Sequence, residues 1–216
     1  QLNFNKKYSQ NYSLEDFIGL PMFNPINEKN YFSKYDLKQF RNKKYRAHVL
    51  GMGGSSLSSK LLAQFINPQL LNKNLFIYDN PSLAYISSTI DKMKIDNQDK
   101  FIFISKSGNT IETKYFLYLI IKLLKKKKIK NPFNNFIFIT ENKKNFLKDF
   151  SLKNNILCFD HDPDIGGRFS IFSITGLLPL IVMGQSLNSL LEAFKKAKKK
   201  FIKNHAVLAK SIFSSG

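Results

Sequence analysis

Ser105, Lys106, Ser107 and Thr110 place three hydroxyls and one ammonium within a short stretch that is apolar on both sides. Phe101 to Ile104 lead into it as a β-prone run, and a long apolar-periodic segment follows, so the order is strand, tight loop, helix. A helix that starts near Thr110 leaves its first backbone N–H groups without intrahelical partners and carries partial positive charge at that end. Hydroxyl donors, a lysine and the conformational freedom of Gly108 complete a cradle for an anion, and the chemistry expected of it is the binding of a phosphate ester. Asn109 and Glu112 have the spacing of a capping box, which would account for those two residues with no ligand at all. It does not call for two serines and a lysine between strand and helix.

Two other stretches carry groups of the same kind. Gly51-Met52-Gly53-Gly54-Ser55-Ser56 follows an apolar strand and opens a helix, so its backbone can approach a ligand closely. Asp79, at the end of the next strand, stands where a ribose-binding carboxylate of a dinucleotide site would stand, but the third glycine of that fingerprint is replaced by Ser56. A small phosphorylated or hydroxylated ligand fits better than a pyrophosphate. The third stretch runs from Asp160 to Ser170, with Gly166 and Gly167 before Arg168, one of only three arginines beside Arg41 and Arg46. Two glycines can bring a guanidinium and neighbouring amides to one oxyanion. His161 among Asp160, Asp162 and Asp164 reads as a solvated turn rather than a metal site, since one histidine with adjacent carboxylates is a poor ligand set.

The elements that must position these residues follow from periodicity. Short continuous apolar runs at 45–50, 74–78, 101–105, 136–140 and 156–159 predict the strands of a parallel sheet covered on both faces, and helices are predicted at 56–66, 82–91, 110–127 and 143–150. This alternation implies a doubly wound α/β fold, with ligands beyond the carboxyl ends of the strands, where the Gly51 and Ser105 loops both fall. Residues 1–44 read as an N-terminal arm with short helices near 13–18 and 33–40, packing through Phe17, Phe23, Phe32 and Phe40. A later amphipathic helix at 187–202 puts Leu187, Leu190, Leu191, Phe194 and Ala197 on one face, and Ala206 to Phe213 begins another. The lysines at 125–128 suit a helix carboxyl end.

Composition narrows the partners. The length of 216 residues suits one sizeable core, and 43% hydrophobic with 23% charged residues is globular. A net charge of +19 invites nucleic acid, but the excess is lysine rather than the arginine that forks onto phosphate and guanine, so no nucleic-acid partner is expected. The most apolar stretch, Phe169 to Gly184, is shorter than the roughly 18 residues of a membrane span. The first residues lack the pattern of a secretory signal, and the single Cys158 permits no disulfide framework and reads as a small core residue; a cytoplasmic location is expected.

Taken in order, Gly53 to Leu57, the Ser-Lys-Ser-Gly-x-Thr-x-Glu-Thr run from Ser105 to Thr113, and Gly-Gly-Arg-Phe-Ser continuing to Gly-Leu-Leu-Pro from Gly166 to Pro179 resemble the three N-terminal signatures of the phosphoglucose isomerase family. The resemblance implies a sugar-isomerase (SIS) domain over 45–184, a three-layer αβα sandwich around a doubly wound, five-stranded parallel sheet of flavodoxin-like type. It also implies the interconversion of glucose 6-phosphate and fructose 6-phosphate. On this basis Ser105, Lys106, Ser107 and Thr110 hold the sugar phosphate, and Gly54 and Ser55 contact the sugar and its phosphate. Gly167 and Arg168 lie at the reacting end, where Arg168 is the catalytic group that stabilises a cis-enediolate as a proton moves between C1 and C2. Glu112 matches a glutamate that supports a histidine in ring opening. No cofactor and no metal are implied; a homodimer is.

The family's catalytic glutamate, ring-opening histidine and lysine belong to a second SIS domain and a C-terminal segment, and Glu141, Glu192 and His205 match none of those motifs. The chain begins with Gln1 and stops after residues 185–216, which would lead toward that second domain. It is therefore expected to be the phosphosugar-binding portion of an isomerase, catalytically incomplete because proton abstraction beside a carbonyl needs a positioned base. The alternative is a stand-alone SIS-domain regulator that senses a phosphosugar.

Overall fold

Phe-Ile-Phe-Ile occurs twice, at 101–104 and at 136–139, and this repeated alternation decides how the sheet is clothed. A computed structural model describes residues 19–213, with side chains to residue 200. Strands β1 (Arg46–Leu50), β2 (Leu75–Tyr78), β3 (Asp99–Ile104), β4 (Phe136–Glu141) and β5 (Leu157–His161) form one sheet in the order β2-β1-β3-β4-β5, every neighbouring pair parallel. The helices in chain order are α1 (Gly54–Ile66), α2 (Leu83–Lys92), α3 (Ile111–Lys126), α4 (Phe146–Asn154), α5 (Ile174–Val182) and α6 (Leu187–Phe213).

Because successive side chains point to opposite faces, Phe101, Phe103, Phe136 and Phe138 all lie on one face of the sheet, and Ile102, Ile104, Ile137 and Ile139 on the other. The Phe103 ring meets Phe136 and Phe138 edge-on at 5.1 and 5.5 Å. Helices α2, α3 and α4 close the phenylalanine face through Ile86, Phe116, Ile120 and Leu147, while α1 and α5 close the isoleucine face through Leu62, Ala63, Leu177 and Leu178. The result is the expected doubly wound, three-layer αβα sandwich. Every residue of α5 is buried, which accounts for the apolar run near 169–184; among the described residues no helix is long and apolar enough to cross a membrane.

Several boundaries differ from expectation. Helix α1 starts at Gly54 rather than 56, and α4 starts at Phe146 rather than 143, because the Asn145 side chain accepts from Lys148 N and caps it there. The expected helix at 33–40 is instead two 3-10 turns, Tyr31–Lys34 and Lys38–Phe40, with Tyr35 extended between them. That extension lets Tyr31 donate to Asp162 Oδ2 at 2.7 Å and Tyr35 to the Asp160 carbonyl at 2.8 Å, so this segment is tied to the end of β5. Phe32 and Phe40 are buried in the isoleucine-face core and Phe23 stacks on Phe172, whereas Phe17 and the helix expected near 13–18 lie outside the described residues. The two C-terminal helices are one, α6, since no glycine or proline breaks the chain near Asn204. Leu190 is buried while Ala197 is exposed. Cys158 is only half-buried beside the phenylalanine core, and burial pushes its thiol pKa up.

One polar network crosses the phenylalanine side. His48 is fully buried in β1, stacked between Phe76 and Phe101 at 4.9 and 4.4 Å. A neutral imidazole satisfies its contacts: Tyr78 O–H donates to Nδ1 at 3.1 Å and Nε2–H donates to Asp99 Oδ1 at 2.9 Å. Arg46 grips the same carboxylate through Nε and Nη2 at 2.7 and 2.6 Å. Burial alone would raise the Asp99 carboxyl, but hydrogen bonds from Arg46, His48 and the Asp96 amide outweigh it and hold it at about 2. Burial lowers the His48 pKa from its ordinary 6.5.

A pH dependence follows. The unfolded chain takes up a proton on His48 that the native protein refuses, so stability is full above the ordinary imidazole value of 6.5 and declines as pH falls below it. The Asp99 contribution, present above the ordinary 3.8, is lost as pH falls toward about 2. Urea midpoints measured from about pH 7.5 down to about pH 5 should fall, and less steeply in His48→Gln. Asp99→Asn should cost about 3 kcal/mol at neutral pH, the low end for a broken buried pair because Arg46 is partly exposed.

Candidate anion-binding site

Strands β1 and β3 are neighbours, yet the chain leaves β1 toward β2 on one side and β3 toward β4 on the other. Their carboxyl ends therefore flank a topological switch point, the place where open α/β sheets bind ligands. A cleft of about 450 Å³ opens there, lined by Met52, Ser55, Ile104, Ser105, Lys106, Ser107, Thr110, Thr113, Glu141 and Lys143.

The wall facing α3 is built from hydroxyls. Ser105 is buried, accepts from Gly108 N at 3.1 Å and lies 3.4 Å from the Thr110 hydroxyl, which in turn lies 2.6 Å from that of Thr113. Thr110 is the N-cap residue of α3, but no side chain caps the helix. Its first N–H groups are thus uncapped by any side chain at the end where the dipole is positive. The expected capping box does not form: Asn109 Oδ1 accepts from Phe146 N at 2.9 Å, fastening the loop to the start of α4, and Glu112 is left in the first turn of α3, where a carboxylate suits the dipole. A long-range partner has displaced the local one.

The three sequence stretches are joined by direct contacts. A methyl group built on Gly54 would overlap the carbonyl of Gly167 and the nitrogen of Arg168, so the glycine loop and the diglycine turn are in backbone contact. From the other side Lys106 Nζ donates to the carbonyls of Pro163 and Ile165, at 2.7 and 3.1 Å, bracing the segment just before Gly166. Ser55, Ser105, Lys106, Ser107 and Thr110 all line the cleft, whereas Gly54, Gly167 and Arg168 do not; they lie against one another next to Ser55. Arg168 is exposed and begins, with Gly167, the 3-10 segment Gly167–Phe172; it has no ion pair or hydrogen bond among the described side chains.

Glu141 and Lys143 were not singled out from the sequence as site residues. The available signal was positional: Glu141 ends β4, on the same side of the sheet as the other loops. His161 also departs from expectation, being buried at the end of β5, opposite Glu141 in register, rather than in a solvated turn. Its Nδ1–H donates to the Asp162 carbonyl at 2.8 Å, its Nε2 has no partner among the described residues, and burial lowers its pKa. Asp160 pairs with Lys148, and Asp162 with Tyr31 and Lys34, so these carboxylates do not converge; no group of His, Cys, Asp or Glu suited to a metal occurs among the described residues.

These features define a doubly wound α/β domain with a hydroxyl-lined cleft at its switch point. Residues 38–210 match the family model described as phosphoglucose isomerase, and the chain belongs to that family. It is 35% identical over 162 residues to glucose-6-phosphate isomerase of Campylobacter jejuni, covering 74% of this chain and 39% of that protein. It is 36% identical over 166 residues to the glucose-6-phosphate isomerase of Methanocaldococcus jannaschii, with the same coverages of 74% and 39%. The chain thus spans about two fifths of the length of the curated relatives it matches. Among solved structures, a hypothetical protein from Thermus thermophilus superposes with a TM-score of 0.66 at 27% identity, over 84% of this chain and 44% of that one.

The close backbone approach at Gly54 is testable. Gly54→Ala should force the diglycine turn outward at a cost of about 1–3 kcal/mol, the range for overpacking. Thermal denaturation would measure it, and an unchanged melting temperature would show that the two loops are not in contact.

Proposed function

We propose that this chain supplies the phosphosugar-binding half of a glucose-6-phosphate isomerase. The observation that carries this is the cleft at the switch point, where the uncapped start of α3 and the hydroxyls of Ser105, Ser107 and Thr110 face the Gly54-Ser55 loop. A phosphate ester suits that wall: three hydroxyls and free backbone amides offer donors to its oxygens, and the helix dipole and Lys106 offer positive charge. The curated relatives are named glucose-6-phosphate isomerase, which supports that sugar phosphate as the ligand and an isomerisation as the reaction.

In this reading the phosphate sits against α3 and the sugar extends toward the rim. Gly167 and Arg168 await the carbonyl end, the guanidinium stabilising the negative charge of a cis-enediolate while a proton moves between C1 and C2. The base that takes the proton comes from a second SIS domain, toward which residues 185–216 lead, so these residues bind without turning over. The working enzyme is a cytoplasmic homodimer. Residues 45–184 form the SIS unit and 1–44 its N-terminal arm, of which the described part, 19–44, packs on that unit.

Titration calorimetry with fructose 6-phosphate tests the binding. Thr110→Val should weaken binding by about 1 kcal/mol through loss of one hydroxyl. Arg168→Ala, assayed in the full-length enzyme, should lower kcat far more than it raises KM. Absence of fructose 6-phosphate binding to the unaltered protein would overturn the assignment.

A further inference from the structure

Lys106 is the lysine that the sequence offers to a phosphate, yet its donors are already engaged. An ammonium has three N–H groups. Those of Lys106 serve the carbonyls of Pro163 and Ile165, and Glu141 Oε1 lies 3.6 Å away on the remaining side. It contributes charge and braces the turn that precedes Gly166, but has no N–H to spare without giving up a carbonyl.

Lys143 stands differently. It lines the same cleft, its side chain is 62% exposed, and its ammonium meets only Glu141 Oε2 among the described residues, leaving two N–H groups open. The backbone holds it there. Lys143 N donates to the Glu141 carbonyl and its own carbonyl accepts from Asn145 Nδ2, both at 2.8 Å. Gly108, at φ +66°, leaves no side chain where Asn145 and Thr140 press in, so the Ser105 loop and the Lys143 loop can lie side by side.

Glu141 makes the arrangement purposeful. Its side chain is only 11% exposed, and Lys143 foremost, with Lys106, holds its carboxyl below the usual carboxylate range. A carboxylate fixed in the wall of an anion cleft repels an entering phosphate. That same carboxylate pairs with the cation a phosphate would seek.

We propose that Lys143 is the direct cationic ligand of the phosphoryl group, and that Glu141 competes with the phosphate for it. This rests on the phosphosugar reading of the cleft. Glu141 acts as an internal counter-anion that weakens binding of any phosphate ester and keeps the cleft from holding its ligand too tightly. Lys143 is the switchable partner, passing from carboxylate to phosphoryl oxygen.

The experiment is calorimetry with fructose 6-phosphate and, separately, inorganic phosphate, on the unaltered protein and on Lys143→Gln, Lys143→Arg and Glu141→Gln. Lys143→Gln should weaken both ligands about tenfold or more, as expected for a lost charge-assisted hydrogen bond, and flatten the salt dependence. Lys143→Arg should largely restore affinity, and Glu141→Gln should tighten it severalfold. A carboxylate that merely scaffolds the loop would give the opposite sign, so weaker binding in Glu141→Gln overturns the competition. Affinity in Lys143→Gln within about twofold of the unaltered protein overturns the ligand role while leaving the phosphosugar reading intact. No binding by the unaltered protein removes both. Circular dichroism checks folding, and Lys143, exposed and in a loop, can be replaced without disturbing the core.

Discussion

Everything at the cleft depends on the parallel register that joins β1, β3 and β4. Leu50 pairs with Phe103, and Ile104 with Ile139, so the three strands end nearly level and release their loops at one height. Two incompatible faces hold that register, one of phenylalanine rings and one of isoleucines. A slip by one residue along β3 or β4 would drive rings into the space shaped for α1 and α5. Packing that looks remote from ligand chemistry is what levels the Gly51, Ser105 and Glu141 turns.

The fold was legible because its signals are local: five apolar runs separated by helix-length segments can hardly be wound otherwise, and the hydroxyl-lysine loop carries its chemistry within one turn. The cleft was only half legible. Ser55, Ser105, Lys106, Ser107 and Thr110 announced themselves by type and spacing, whereas Glu141 and Lys143 lie far along the chain and reach the cleft only through the pairing of β3 with β4. Asn109 shows the converse error. Its spacing to Glu112 satisfies a capping rule, but the amide of Phe146, distant in sequence, offers the same side chain a partner that also joins two loops. His161 misled for a similar reason, since its charged neighbours suggested water while strand pairing buried it.

Charge has a different meaning here from the one its total suggests. The net +19 is carried by lysines, several of them at exposed helix positions such as Lys195, Lys196, Lys199 and Lys200 of α6, while the cations with structural or ligand consequence are individually partnered. Arg46 is consumed by Asp99 beneath the sheet, Lys148 by Asp160, and Lys106 by two carbonyls. Among the described residues, Lys143 lines the cleft with N–H groups to spare, and Arg168, whose backbone nitrogen lies against Gly54, is exposed with no side-chain partner.

Tyr31 and Tyr35 deserve to be followed outward from β5. That strand is the sheet's last, and an open flank is a template on which a second chain can add itself. By bonding to Asp162 and to the Asp160 carbonyl while Tyr35 and Phe40 pack on Phe159, the segment before β1 fastens this last strand to the core. A version of the domain trimmed to its first strand would keep every cleft residue and yet lay bare Phe159 and the end of β5, an apolar patch beside an unpaired strand.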